Sequence, residues 1–414
     1  MVLTKGVDVL RKTMPNSTVE IEIGLLTGCQ DRPYAFGLAM ALVSRGVCLD
    51  VIGSDEVDSP EMHSTAKLHF LNLRGNQRQD INRAKRLSRL LIYYVRLLRY
   101  TMCAEPKILH ILWNNRFEFI DRTLLMLYYK MLGKKIALTV HNVNQARRDS
   151  NDSLLNRLTL RFQYRLADHI FVHTEKMKSE LVVDFGVRGG AVTVIPFGIN
   201  NAVRQTDLTA GDAKRQLGIK DGEKAILFFG RLRPYKGLEH LLAAYQQLMT
   251  RRLDYRLVIA GEPKKGSEKY LNEILQMIRS TDSQERIICK LQFIPDQDTE
   301  LYLKAADVLV LPYKEIFHSG VLFLAHSFGL PVVAADVGPF REEIIEGRTG
   351  FLCNPSDAVD LANAIERYFT SDLYTNLKNR RRDIRDYASE RHSWSVVGEM
   401  TRKVYAELLG EERP

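Results

Sequence analysis

Two cations in one short turn are the first residues of this chain with a chemistry attached. The run AILFFGRLRPYKG, residues 225–237, reads as a buried strand that stops at Gly230 and gives way to a turn holding Arg231 and Lys236, closed by Gly237. A helix opening near Leu238 would leave free backbone N–H groups and positive charge in the crevice between strand and helix, a setting suited to a diphosphate. Arginine offers phosphate oxygens a planar fork and lysine a point charge, so the pair can neutralise a departing nucleoside diphosphate. An isolated arginine and lysine at this spacing also describe two solvated loop charges. A second polar break comes in LTVHNVNQARRDS, residues 138–150, where His141 and Asn142 interrupt an apolar strand. The carboxyl edge of a parallel sheet is where ligands bind, although a buried, hydrogen-bonded structural histidine fits the same pattern. Arg147 and Arg148 follow, facing either an anionic acceptor or solvent. The loop after the first strand, residues 24–46, bears several glycines. The glycines there lack the G-x-G-x-x-G spacing, and no acidic residue is placed to hold a ribose, which disfavours a dinucleotide site.

Positioning these groups falls to an alternation of strand-like and helix-like runs, the mark of an α/β fold with parallel sheets. In the first half, strands are expected at 19–26, 47–52, 68–71, 108–113, 136–140, 169–173 and 193–196. In the second half they are expected at 225–229, 255–260, 287–292, 308–312 and 331–335, giving two successive Rossmann-like sheets. The polar stretch 200–222 puts the boundary close to Ile199. Residues 394–410 have helical spacing of Val397, Met400, Val404 and Leu408. The chain of 414 residues, 45% of them hydrophobic, is long enough for two or three domains. No run reaches the roughly 18 apolar residues of a membrane span, and no signal-peptide core opens the chain, so a cytoplasmic protein is expected. The five cysteines show no metal-site spacing and read as small buried apolar residues.

A second motif-bearing stretch, residues 305–352, changes the weight of the Arg231–Lys236 pair. It carries A-D-V-x-V-L-P-Y at 306–313, F-G-L-P-V-V-A at 328–334, D-V-G at 336–338 and R-E-x-I-x-E-G-x-T-G-F at 341–351. With G-R-L-x3-K-G at 230–237, the order and spacing of these pieces resemble the C-terminal domain of GT-B glycosyltransferases of the family 4 type, also called glycosyl transferases group 1. The resemblance covers about 192–368 closely and the N-terminal half loosely. It implies a GT-B fold: two Rossmann-like domains with a cleft between them, an acceptor domain at 1–198 joined by a crossover helix at 394–414, and a nucleotide-sugar domain at 199–393. It also implies that Arg231 and Lys236 stabilise the leaving diphosphate without a metal, and that His141 positions the sugar or an acceptor hydroxyl. By the same resemblance the loop after the first strand reaches toward the donor diphosphate and the acceptor, with Thr27, Gly28 and Arg32 as its candidates, although an ordinary strand-to-helix turn accounts for Arg32 as well; Gly230 approaches the donor, and Glu262, Phe293 and Ile294 line the nucleotide pocket. Glu342 matches a family glutamate, with Arg341 in place of the usual preceding proline. One departure is plain. The two glutamates of the family's E-x7-E fall here on Ile316 and Leu324, leaving Glu315, His318, Ser319 and Gly320 as the available polar or backbone groups.

Between Arg74 and Arg99 the chain holds Arg74, Arg78, Arg83, Lys85, Arg86, Arg89, Arg96 and Arg99 against one acid, Asp80. On a helix, Lys85, Arg86, Arg89, Arg96 and Arg99 gather opposite Leu87, Leu91, Tyr94 and Leu98, either as a normal domain helix or as a surface for an anionic partner. The net charge of +9 favours such a partner. An anionic leaflet carrying a polyprenyl-diphosphate-linked saccharide is preferred to nucleic acid, for which no module is evident. The family resemblance together with this basic charge implies hexosyl transfer from a nucleotide sugar to a saccharide or lipid-linked saccharide, in cell-surface polysaccharide assembly and peripheral to the inner face of the membrane. The alternative is a catalytically idle homologue that binds or scaffolds.

Overall fold

The computed structural model describes residues 21–77, 83–148, 151–198, 203, 205–264, 266–317 and 319–410. Its first half builds a seven-stranded sheet from β1 (Glu22–Leu26), β2 (Cys48–Gly53), β3 (Leu68–Asn72), β4 (Ile108–Ile111), β5 (Lys135–Thr139), β6 (His169–Val172) and β7 (Val192–Val194). Its second half builds a six-stranded sheet from β8 (Lys224–Phe229), β9 (Tyr255–Ala260), β10 (Ile287–Lys290), β11 (Val308–Leu311), β12 (Val332–Ala335) and β13 (Gly350–Cys353). The strand orders are β3-β2-β1-β4-β5-β6-β7 and β10-β9-β8-β11-β12-β13, and the named pairs are all parallel. Helices cover both faces of such a sheet, so its strands are apolar without alternation; every residue of β8, β11 and β12 is buried. This is the GT-B arrangement of two Rossmann-like units. Strand β13 escapes sequence reading because GFLC is four residues long and begins with glycine.

The helix Trp394–Leu409 leaves the second half and packs on the helix Arg32–Ser44 of the first. Ser393 caps its N-terminus by accepting from the Val396 amide, and Gly410, at φ +81°, ends it. Glycine at two places lets the Trp394 ring in: a Cβ on Gly37 or Gly198 would fall 2.1 or 2.5 Å from the indole. Tyr405 reaches buried His110 between β1 and β5, and Arg45 pairs with Glu399 at 2.9 Å. At the end of the first half, Phe197 stacks on Phe323 of the helix Gly320–Ser327, with centroids 5.5 Å apart. Expected boundary residue Ile199 lies outside the described residues.

The basic helix is Arg83–Cys103, and its core row is Leu90, Tyr93, Tyr94 and Leu97. The sequence reading placed Leu87 and Leu91 with Tyr94 on the buried side. In fact Leu87 and Leu91 are about half exposed, because the sheet takes the stripe centred on Leu90 and Leu97. Lys85, Arg89, Arg96 and Arg99 are exposed, and the side chain of Arg86 lies outside the described residues. Among the described residues no helix is long and apolar enough to cross a membrane.

Candidate active site

In each sheet the strand order reverses once, between β1 and β4 and between β8 and β11. Loops leaving the carboxyl ends at such a reversal splay apart and open a crevice. Here the two crevices face each other. A cleft of about 390 Å³ is lined by Gln30 and Asp31 after β1, Trp113 after β4, and His141, Asn142 and Gln145 after β5. Its opposite wall is Arg231, Arg233, Tyr235 and Lys236 after β8, and Ile316 after β11.

Lys236 ends a tight turn, Pro234–Lys236, followed by Gly237 at φ +65°. Only glycine suits that position, since a Cβ would lie 2.1 Å from the Pro312 carbonyl oxygen. The Lys314 amide donates to the Tyr235 carbonyl at 2.8 Å, tying the turn to the loop after β11. As a result Lys236 is buried, with its Nζ 5.3 Å from the centre of the Tyr313 ring. Burial, and then the charges of Arg233 and Arg231, push its pKa down to about 7. Arg231 is held at the cleft edge by Glu262, whose Oε1 accepts from Nε at 2.9 Å and Nη2 at 2.5 Å. An amine crowded by two guanidiniums in a cleft is a site for an anion.

His141 is buried and stacked flat on Trp113, with centroids 4.2 Å apart and an interplanar angle of 5°, while Tyr34 meets it edge-on. Its Nδ1 lies 3.1 Å from Nε2 of His173, whose Nδ1 lies 3.3 Å from the Ile195 carbonyl oxygen. A carbonyl only accepts, so His173 Nδ1 carries its proton and its Nε2 accepts from His141 Nδ1–H. In a neutral His141 ring, Nε2 is then the accepting nitrogen.

Gly28, at φ +58°, runs against the Trp113 carbonyl, where a Cβ would be 2.5 Å away. Gly230 abuts Lys236, with a Cβ position 3.2 Å from Nζ. Ser319 is buried and caps Gly320–Ser327 by accepting from the Leu322 amide, which leaves Gly320 at the first turn. Arg32 is not among the residues lining the cleft, which takes Gln30 and Asp31 from that loop instead. Phe293 is exposed and Ile294 buried, both away from the cleft lining. Glu315 and Arg147 line a separate neighbouring pocket, with Arg147 paired to Asp184 at 3.6 Å. His318 lies outside the described residues, as does the side chain of Arg148. Glu342 is exposed, and its neighbour Glu343 is the buried acid, 2.9 Å from His392. Ile316 and Leu324 are both buried. Asp296-Gln297-Asp298 is a D-x-D run, but it forms the first turn of the helix Asp296–Ala305, where carboxylates complement the helix terminus. Sequence reasoning missed Gln30, Trp113, Arg233 and His173. The first two follow the strands at the reversal, a signal that appears only once the strand order is known.

Residues 33–203 match the family model described as Glycosyltransferase Family 4, and residues 210–391 match Glycosyl transferases group 1. A D-inositol 3-phosphate glycosyltransferase of Corynebacterium aurimucosum is 29% identical over 283 residues, 66% of this chain and 65% of that protein. The same enzyme of Pseudarthrobacter chlorophenolicus is 29% identical over 250 residues, 59% of this chain and 57% of its own. The match thus spans about three fifths of the length of these relatives. Among solved structures, sucrose-phosphate synthase from Thermosynechococcus elongatus superposes with a TM-score of 0.75 at 20% identity, covering 95% of this chain and 100% of that one. Anabaena Alr3699/HepE in complex with UDP and glucose gives 0.73 at 17% identity, covering 94% and 100%.

Proposed function

Because the chain belongs to the GT-B glycosyltransferases of the family 4 and group 1 type, we propose that it moves a hexosyl group from a nucleoside-diphosphate sugar to a saccharide or lipid-linked saccharide. The observation that carries this reading is the meeting of Arg231, Lys236 and His141 in one cleft. In the transfer, an acceptor hydroxyl oxygen bonds to the anomeric carbon as the bond from that carbon to the diphosphate oxygen breaks; the nucleoside diphosphate leaves with the bonding pair and takes up the hydroxyl's proton. Lys236 and Arg231 neutralise the charge that develops there, with no metal required of the mechanism. His141, with Nε2 accepting, orients a hydroxyl of the sugar or the acceptor. The acceptor domain is 1–198 with the crossover helix, and the donor domain is 199–393. The acceptor is a polyprenyl-diphosphate-linked saccharide at the inner membrane face, and the pathway is assembly of cell-surface polysaccharide.

Thermal-shift titration with UDP-, GDP-, ADP- and TDP-sugars tests the donor. One of them is expected to raise the melting temperature of the wild type and to have no effect on Arg231→Ala/Lys236→Ala; no shift with any of them would sink the reading. A second reading, an idle homologue, draws on the apolar, buried Ile316 and Leu324 at the two glutamate positions. It requires nucleotide binding with no sugar release to any acceptor, and detection of transfer to a lipid-linked saccharide rules it out.

A further inference from the structure

Exposed apolar side chains are distributed very unevenly over this molecule. Of the twenty-one large hydrophobic side chains exposed among the described residues, fourteen lie on three neighbouring helical segments of the first half. These are the helix Arg83–Cys103, the helical run 118–131 and the helix Leu154–Leu166. Leu91 and Val95 stand on the first, Leu124 and Met131 on the second, and Leu158 and Phe162 on the third. The three are adjacent: Tyr128 donates to the Leu98 carbonyl at 3.0 Å, and Arg122 donates to Asn156 at 2.9 Å.

Cations border this apolar strip on both sides. On the first helix, Lys85, Arg89 and Arg96 lie away from the 118–131 run, with Arg96 reaching the Leu73 carbonyl. On the third, Arg161 and Arg165 lie on the opposite margin, with Arg161 reaching the Asp184 carbonyl, while Arg157 is paired with Asp152 at 2.5 Å. Neither 83–103 nor 154–166 contains an acidic residue. Contiguous exposed apolar surface of this kind marks an interaction site. A second copy docked face to face would set rows of like charge against each other, and nucleic acid would leave the apolar strip unsatisfied. A leaflet of anionic phospholipid satisfies both, with acyl chains for the strip and headgroup phosphates for the margins. A crevice also links this face to the cleft, since Glu118 and Arg122 of the run share one lining with Gln30, Trp113 and His141.

We propose that this three-helix face lies on an anionic lipid leaflet, with the apolar strip at the acyl boundary and the crevice leading to the cleft. It rests on the transferase reading only for the identity of what the membrane delivers. The test is sedimentation of the purified protein with vesicles of phosphatidylglycerol and phosphatidylcholine, against phosphatidylcholine alone, without any sugar donor. The wild type is expected to partition at least about tenfold more onto the anionic vesicles, less so as salt rises from about 0.1 to about 1 M. The variant Leu124→Ser/Met131→Ser/Leu158→Ser is expected to lose about tenfold or more of that binding while keeping its melting temperature and its shift with nucleotide sugar. Charge reversal by Arg89→Glu/Arg96→Glu should weaken binding to anionic vesicles alone. Wild-type protein left in the supernatant, a triple variant that binds like wild type, or an apolar face shown by light scattering to be the contact of a dimer that ignores vesicles would each overturn the proposal. Failure of the donor titration leaves this result untouched, so the two readings fall separately.

Discussion

At the scale of single residues, the charge state of Lys236 governs what the cleft can hold. Its folded pKa, near 7, is below the roughly 10.5 of an unfolded lysine, so between these values the unfolded chain binds the extra proton. The empty protein therefore loses stability from this group as pH falls from about 10.5 toward 7. A bound diphosphate reverses the preference by rewarding the ammonium form. Nucleotide affinity is accordingly expected to fall as pH rises above 7, by up to about tenfold per unit, with proton uptake on binding seen calorimetrically in buffers of different ionisation enthalpy. Lys236→Met should bind more weakly with a flat profile from pH 7 to 9; a wild-type profile equally flat would refute the assignment. The His173 to His141 hydrogen bond makes a second prediction. With His173→Phe, the His141 ring loses the acceptor that fixes its tautomer. Transfer is expected to drop about tenfold, the worth of one hydrogen bond of about 1.4 kcal/mol, with the nucleotide-induced thermal shift retained.

At the scale of elements, the turn after β8 is held by contacts on both sides. Gly237 passes close to the Pro312 carbonyl, and the Tyr235 carbonyl is bonded from Lys314, so the loops after β8 and β11 are tied to each other. Gly237→Ala puts a methyl where the carbonyl sits and forces φ out of the left-handed region. A loss of about 1–3 kcal/mol in denaturant unfolding is expected, along with weaker nucleotide binding as Lys236 shifts; unchanged binding and stability would show that the turn is not tied. Element scale is also where the limits of sequence reading show. Buried runs such as Ala225 to Phe229 declare themselves because parallel strands covered on both faces are apolar throughout, and the Arg231–Lys236 motif travels with such a strand. The stacking of Trp113 on His141 was not legible, because residues on different strands meet only through the strand order. Glu315 and Ile316 differ by one position, yet one lines the neighbouring pocket and the other the cleft. That parity is set by tertiary packing and is invisible in composition. On the helix Arg83–Cys103 the basic residues were legible as a row, but which leucines faced the sheet was not, since apolar side chains occur on both the core and outer stripes.

At the scale of the whole molecule, the two halves are joined by a seam that is apolar in the middle and carries a titratable group. Trp394 fills the space that Gly37 and Gly198 leave open, Phe197 meets Phe323, and Tyr405 reaches His110. Burial pushes His110 down to about 3, with neighbouring His169 adding to the effect; His169 itself is pushed down to about 4 and His326 to about 3, each mainly by burial. The unfolded chain protonates all three histidines below about 6.5, while the fold keeps them neutral. Their stabilisation is therefore fully present above pH 6.5 and is lost as pH falls toward the folded values, at up to about 1.4 kcal/mol per pH unit for each histidine. His110 also bonds Thr139 on β5, so protonating it strains the contact that fastens the last helix to the first sheet. The chain has two tryptophans, and in Trp113→Phe the seam residue Trp394 becomes the sole indole reporter. Its emission is expected to shift to the red as pH drops from 6.5 toward 4, before far-UV circular dichroism is lost, and adding His110→Gln should move that shift to lower pH. Emission that follows the far-UV signal point for point in both proteins would mean instead that the seam opens only with global unfolding, and that cleft and crossover helix form one cooperative unit.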